Sequence, residues 1–277
     1  MLLFKVKKGY GERNKPKVKI QTYVKFSDSC KKIACAVASK FCIFAPMSIR
    51  ENLQYINQKI QQACWANGRP ADSVKLIAVS KTKSAEQIWE AYQAGQRLFG
   101  ENYVQELLQK QSHPLLRNLE IQWHLIGHLQ SNKAKHVAGK VAMIQTIDRF
   151  SLAQTLANYA AKRAQCIPIL LEINISGEAS KHGFKPDEVE GEAKKIFQLP
   201  NLALKGIMCI GSSDEQKARD EFKAMKRLFE TLKQLAPKPE TFTELSMGMS
   251  GDFEAAIAEG ATMVRIGTAI FGERQSS

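Results

Sequence analysis

Hydrophobic and polar positions along the chain fall into two alternating patterns. Short apolar runs rich in β-branched residues recur at 75–81, 97–102, 122–127, 142–148, 168–175, 202–210, 243–249 and 263–271. Runs of this length and content predict buried strands. Between them lie stretches with helical spacing, 84–94, 103–112, 131–138, 149–165, 186–198, 214–235 and 252–259. Ser84, Ser131, Asp214 and Asp252 stand where helix N-caps belong. A leading amphipathic helix over 47–68 opens on Ser48 and Glu51 in capping-box spacing and closes on Asn67-Gly68. Eight strands alternating with helices demand a parallel sheet, and their number fits a single (β/α)8 TIM-type barrel over residues 47–277. A doubly wound open sheet would want a glycine-rich turn after its first strand. Ser80-Lys81-Thr82-Lys83 offers no glycine there.

Composition changes this picture little. Of 277 residues, 44% are hydrophobic and 24% charged, as in ordinary soluble proteins. The formal net charge of +13 suggests nucleic acid until it is located. Residues 1–46 hold eleven Lys and Arg against Glu12 and Asp28, while the remainder carries 29 basic and 25 acidic residues. The barrel is therefore close to balance, which argues against a nucleic-acid partner. The leading 46 residues make a poor secretory signal, and their best apolar stretch, 33–45, is too short to span a bilayer. They are expected to be a dispensable basic extension, or to follow from a mis-assigned start, with a targeting role as the alternative. No Cys/His spacing suits a metal or a redox pair. Cys64, Cys166 and Cys209 are expected to be reduced, in a soluble cytoplasmic protein that makes no membrane contact.

Barrel chemistry sits at the carboxyl ends of the strands. Those ends read Lys81, Glu101-Asn102, His124, Asp148, Asn174, Met208-Cys209, Ser246 to Gly251, and Arg265-Ile266-Gly267-Thr268. Lys81 leaves an apolar strand, so partial desolvation would favour its neutral amine, the form that makes a Schiff base. The alternative is a surface lysine at a strand end. The loops after strands seven and eight, where such barrels often hold a phosphate, are small and glycine-containing. Their glycines are equally turn or packing residues when each loop is taken alone. Together with Lys81 they suggest a phosphorylated carbonyl ligand, and pyridoxal 5′-phosphate unites these requirements. Arg265 is placed to face its ring nitrogen, and an arginine, which only donates, would keep that nitrogen unprotonated. A structural ion pair is the other reading of Arg265.

These residues lie in motifs that resemble the pyridoxal phosphate homeostasis protein family. The motifs are Ala78-Val79-Ser80-Lys81-Thr82-Lys83, the stretch Phe99 to Glu106, Trp123-His124-Leu125-Ile126-Gly127 and Leu129 to Lys133. Ile173-Asn174-Ile175-Ser176, Lys181-His182-Gly183, Leu245 to Ser250 and Met263 to Gly272 complete the set. The resemblance implies the barrel of the amino-terminal domain of alanine racemase. It further implies a Schiff base on Lys81, Arg265 at the pyridine nitrogen, Ser246, Gly267 and Thr268 on the phosphate, and Asn102 near the ring. Lys83 and Lys181 match family lysines near the site, as possible secondary contacts, with a solvated surface charge as the other reading. The chain departs from the family at Ser84 and at His128, where proline is usual.

No counterpart of the second, β-rich domain of alanine racemases is expected after the eighth strand. Racemisation needs an acid or base on each face of the substrate carbon, and Lys81 covers one. The expected function is therefore a monomeric binding protein, with no catalytic residues of its own and no metal. It would hold the cofactor for vitamin B6 homeostasis and pass it to apo forms of cofactor-dependent enzymes. A small amino-acid racemase using His124 as its second group is the alternative, and a sugar-phosphate enzyme working through a Lys81 imine is a third class.

Overall fold

The computed structural model describes residues 7–10, 16–19 and 48–273. By its contacts the chain divides into two units, Met1–Pro46 and Met47–Ser277. In the first, two short strands, Lys7–Tyr10 and Pro16–Lys19, pair antiparallel. The expectation of a dispensable extension over 1–46 otherwise falls outside the described residues.

The second unit is a closed parallel barrel. Its strands are β1 (Lys75–Val79), β2 (Leu98–Glu101), β3 (Gln122–Leu125), β4 (Met143–Ile147), β5 (Ile167–Ile173), β6 (Leu202–Cys209), β7 (Glu244–Ser246) and β8 (Met263–Ile266). Each pairs with its neighbours in sequence, and β8 closes on β1. The helices are α1 (Ile49–Ala66), α2 (Ala85–Gln93), α3 (Val104–Ser112), α4 (Ala134–Val137), α5 (Phe150–Lys162), α6 (Val189–Phe197), α7 (Glu215–Leu235), α8 (Phe253–Ala258) and α9 (Thr268–Phe271). The capping boxes Ser48/Glu51 and Ser84/Gln87 are both formed, and Asp214 caps α7 through Lys217 N. Ser131 instead begins a 3-10 turn, Ser131–Lys133. Among the described residues no helix is long and apolar enough to cross a membrane.

Strand alternation sorts the side chains into two cores. Outward residues such as Ala78, Phe99, Leu125, Ile169, Ile207 and Val264 pack under the helices in one large cluster. Inward residues Ile77, Met143, Leu170, Met208 and Met263 form a separate small cluster that plugs the barrel. The expected eighth strand over 263–271 is corrected. It ends at Ile266, and Gly267 accepts from Ile270 N and Phe271 N to start α9. The apolar run continues because α9 buries Ile270 and Phe271, and helical and extended burial look alike over four residues.

Candidate cofactor-binding site

β8 lies beside β1 with Arg265 opposite Ile77 and Ile266 opposite Ala78. Gly267 therefore leaves β8 next to Val79, and a Cβ on it would approach Val79 O to 3.2 Å. Lys81 follows two residues beyond Val79 and is half-buried. Its turn is held from both sides. Ser80 N donates to Gly100 O at 3.0 Å, and Lys83 N donates to Ser80 O at 3.0 Å. Thr82 takes a left-handed φ of 62°, strained for a β-branched residue, and its N–H donates to Glu106 Oε1 at 2.6 Å.

Behind this turn, on the outer face of the sheet, lies a buried ionic cluster. Lys110 Nζ donates to Ser80 O, Glu101 Oε1 and Glu106 Oε1, each at 2.7 Å. Ser80 Oγ donates to the same Glu101 oxygen at 2.6 Å. Glu101 Oε2 is buried without a hydrogen-bond partner, and burial raises the carboxyl's pKa against the pull of Lys110.

Inside the barrel a line of hydrogen bonds crosses from β8 to β3. Arg265 Nη1 donates to Ser246 Oγ at 2.8 Å, and Nη2 donates to Cys209 O at 2.7 Å. Ser246 Oγ donates to Gln145 Oε1 at 2.7 Å, and Gln145 Nε2 stands 2.9 Å from His124 Nδ1. Of the expected phosphate contacts, Ser246 is thus wholly buried and gives its one proton to Gln145. Gly267 and Thr268 lie at the mouth, where Thr268 Oγ1 donates to Ser250 Oγ at 3.1 Å.

A cavity of about 200 Å³ at the mouth is lined by Asn102, Gly127, His128, Glu172, Lys181 and His182 among others. Asn102 reaches it because Gly127 has no side chain: a Cβ there would lie 2.4 Å from Asn102 O. Glu172 Oε2 is buried without a hydrogen-bond partner, and burial with nearby Asp148 pushes the carboxyl's pKa up to about 7 despite Arg265. Lys181 Nζ pairs with Glu178 Oε1 at 2.8 Å and reaches Gly211 O at 3.4 Å. Lys83 turns elsewhere. Its Nζ donates to the carbonyls of Phe271, Gly272 and Glu273 at 3.0 to 3.3 Å, capping the end of α9. His128 pairs with Asp148 at 3.0 Å, yet burial holds its imidazole below the ordinary pKa.

His124, the candidate second acid or base, is not at the mouth. Its ring points into the barrel, and burial with Lys75 lowers its pKa to about 4. Sequence reasoning passed over Gln145, Glu172 and the Lys110 cluster. The signal for the first two was present: each is a polar residue two positions after an inward apolar one, Met143 and Leu170.

The model of the alanine racemase N-terminal domain family matches residues 47–275. The pyridoxal phosphate homeostasis protein of Pasteurella multocida is 48% identical over 233 residues, covering 83% of this chain and all of its own. That of Haemophilus influenzae is 46% identical, covering 83% and 98%. The chain belongs to the pyridoxal phosphate homeostasis protein family. The structure of PipY from Synechococcus elongatus with PLP bound superposes with a TM-score of 0.71 at 35% identity, covering 81% of this chain and 100% of that one.

Proposed function

We propose that this chain binds pyridoxal 5′-phosphate on Lys81 as a Schiff base and serves vitamin B6 homeostasis as a cytoplasmic monomer, without substantial catalysis. In that role it limits free aldehyde and passes the cofactor to apo forms of the enzymes that use it. The observation that carries it is the pairing of β8 with β1, which leaves Gly267 and the start of α9 beside the turn bearing Lys81. When bound, the cofactor supplies an aldehyde that condenses with a primary amine, releasing water, and a phosphate dianion that needs donors.

The chain's residues fit such a group. Thr268 offers a hydroxyl at the mouth, and Arg265 offers a buried cation fixed by Ser246 and Cys209. Asn102 and Glu172, whose Oε2 has no hydrogen-bond partner, line the cavity at the mouth, with Lys181 beside them. Ser246 would join Gly267 and Thr268 on the phosphate only by turning its proton away from Gln145. Lys83, as a secondary contact, would first have to release the carbonyls of α9. The racemase alternative loses support because His124 sits inside the barrel with a depressed pKa.

The test is a visible absorption spectrum with added pyridoxal 5′-phosphate, followed by borohydride reduction and peptide mapping. A yellow protein whose reduced adduct maps to Lys81, and is absent in Lys81→Ala, is the expected result. A protein that stays colourless, or an adduct that survives Lys81→Ala, overturns the assignment. Loss of optical activity from an L-amino acid, abolished by Lys81→Ala, would favour the racemase instead.

A further inference from the structure

Three side chains from three successive barrel connections converge on the rim of the mouth. His128 follows β3, Asp148 follows β4, and His182 follows β5. His128 Nδ1 stands 3.0 Å and His182 Nδ1 4.0 Å from the same carboxylate oxygen, Asp148 Oδ2. One ligand atom from each residue lies within 4.8 Å of the others, and no second such group of His, Cys, Asp and Glu occurs among the described residues.

We propose that His128, Asp148 and His182 form a binding site for a divalent transition-metal ion of the zinc class. Two imidazoles and one carboxylate suit zinc, cobalt, nickel or copper, whereas magnesium and calcium ask for oxygen alone. Tetrahedral ligands about 2.0–2.2 Å from a zinc ion lie roughly 3.3–3.6 Å from one another, and the two Nδ1–Oδ2 separations fall on either side of that value. Three protein ligands leave a fourth position open to water.

The carboxylate is already oriented. Arg149 Nη1 holds the other oxygen, Asp148 Oδ1, at 2.5 Å, while its Nη2 donates to Leu129 O and Ser131 Oγ. This leaves Oδ2 aimed at the histidines, the outer-shell support that metal ligands usually have. The two imidazoles stack with centroids 3.9 Å apart and planes 19° from parallel. To converge on an ion the rings must turn out of this stack. The His182 side chain, 57% exposed, is free to turn. A bound ion would tie the loop after β3 to the loop after β5, across the cavity walled by Glu172 and Lys181.

The proposal does not depend on the cofactor reading, and its test reads the metal directly. The full chain, free of tag and chelator-stripped, is titrated with Zn²⁺ against a chromophoric chelator, and with Co²⁺ by its visible bands. One ion per chain at micromolar affinity is expected. His182→Ala and His182→Gln should each weaken it by more than the about 10–100-fold typical of losing an outer-shell partner. Arg149→Gln should weaken it by about that smaller factor, and Cys166→Ser, at an exposed thiol, should leave it unchanged. No uptake at submillimolar Zn²⁺ overturns the assignment. So does uptake that His182→Ala and His182→Gln leave unaltered, which would make the His128–Asp148 contact a simple ion pair.

Discussion

Gln145 Nε2 meets His124 Nδ1 at 2.9 Å, at the end of a line of hydrogen bonds whose direction is set by Arg265. Arg265 can only donate, so Ser246 Oγ accepts from it and passes its own proton to Gln145 Oε1. Gln145 then presents its amide NH₂ to His124, whose Nδ1 must be an unprotonated acceptor. Protonating His124 sets donor against donor and reverses the preference of the whole line. The lowered pKa of about 4 has burial as its main cause, and this polarity acts in the same direction.

Acid should therefore destabilise the barrel through His124. Its folded pKa lies below the ordinary 6.5, so the folded chain binds the proton less well than the unfolded chain. The stabilising contribution is complete above pH 6.5 and is lost as pH falls toward 4, a difference of about 3 kcal/mol. Chemical unfolding of His124→Gln, measured from pH 4 to 7, should lack this acid loss. A variant as acid-sensitive as the wild type would count against the neutral ring.

Glu172 gives the opposite slope. Its carboxyl is raised from 4.5 to about 7 by burial and by Asp148 across the mouth, with Arg265 pulling the other way. The folded chain binds that proton better, so stability is fullest below pH 4.5 and falls as pH rises through 7, again by about 3 kcal/mol. Between pH 4.5 and 6.5 the two slopes oppose, and the wild-type curve should be nearly flat there. Glu172→Gln should uncover the loss toward acid, and His124→Gln the loss toward alkali. Equal curves for all three proteins would contradict both assignments.

The same residues mark how much the sequence made legible. All eight strands could be read because buried parallel strands are continuous apolar runs; Lys81 stood out because it ends such a run, Arg265 because it precedes a glycine-containing strand end, and Asn102 through the family resemblance. All eight predicted strands overran by a residue or more at their carboxyl ends, where residues such as Ser80, Ile126 and Met247 stay buried after the ladder stops. Gln145 and Glu172 escaped notice because a single polar residue within an apolar run reads as noise until its inward face is known. The bonds from Lys110 to Ser80 and Glu101 were out of reach. They depend on how α3 lies against β1 and β2, which no local pattern encodes.

Lys110→Met should test the support behind the Lys81 turn. Removing the ammonium leaves Glu101 buried beside Ser80, with neither oxygen paired to a cation, a change that typically costs about 3–5 kcal/mol. It also strips the ammonium from the Ser80 carbonyl and from Glu106, which keeps its bond from Thr82 N just beyond Lys81. Unfolding midpoints should drop sharply, and the double variant Lys110→Met/Glu101→Gln should recover part of the loss. If the yellow band with pyridoxal 5′-phosphate formed at the wild-type rate in that stabilised double variant, the cluster would be structural and without influence on Lys81.

Gly127→Ala separates crowding from flexibility at the mouth. The new methyl would lie 2.4 Å from Asn102 O and 2.6 Å from Asn102 Cα, and both are backbone atoms that no rotamer change can move. Overpacking of this kind costs about 1–3 kcal/mol, and relief requires the β2 and β3 ends to part. Asn102 would then shift from the cavity wall, so affinity for pyridoxal 5′-phosphate should fall along with stability. Gly191→Ala is the control: it lies in α6 with nothing within 4 Å of the added Cβ. Relief of helix-interior glycine should leave it neutral or stabilise it by about 0.5–1 kcal/mol. If Gly127→Ala lost stability yet bound the cofactor as tightly as the wild type, Asn102 would have no part in the site.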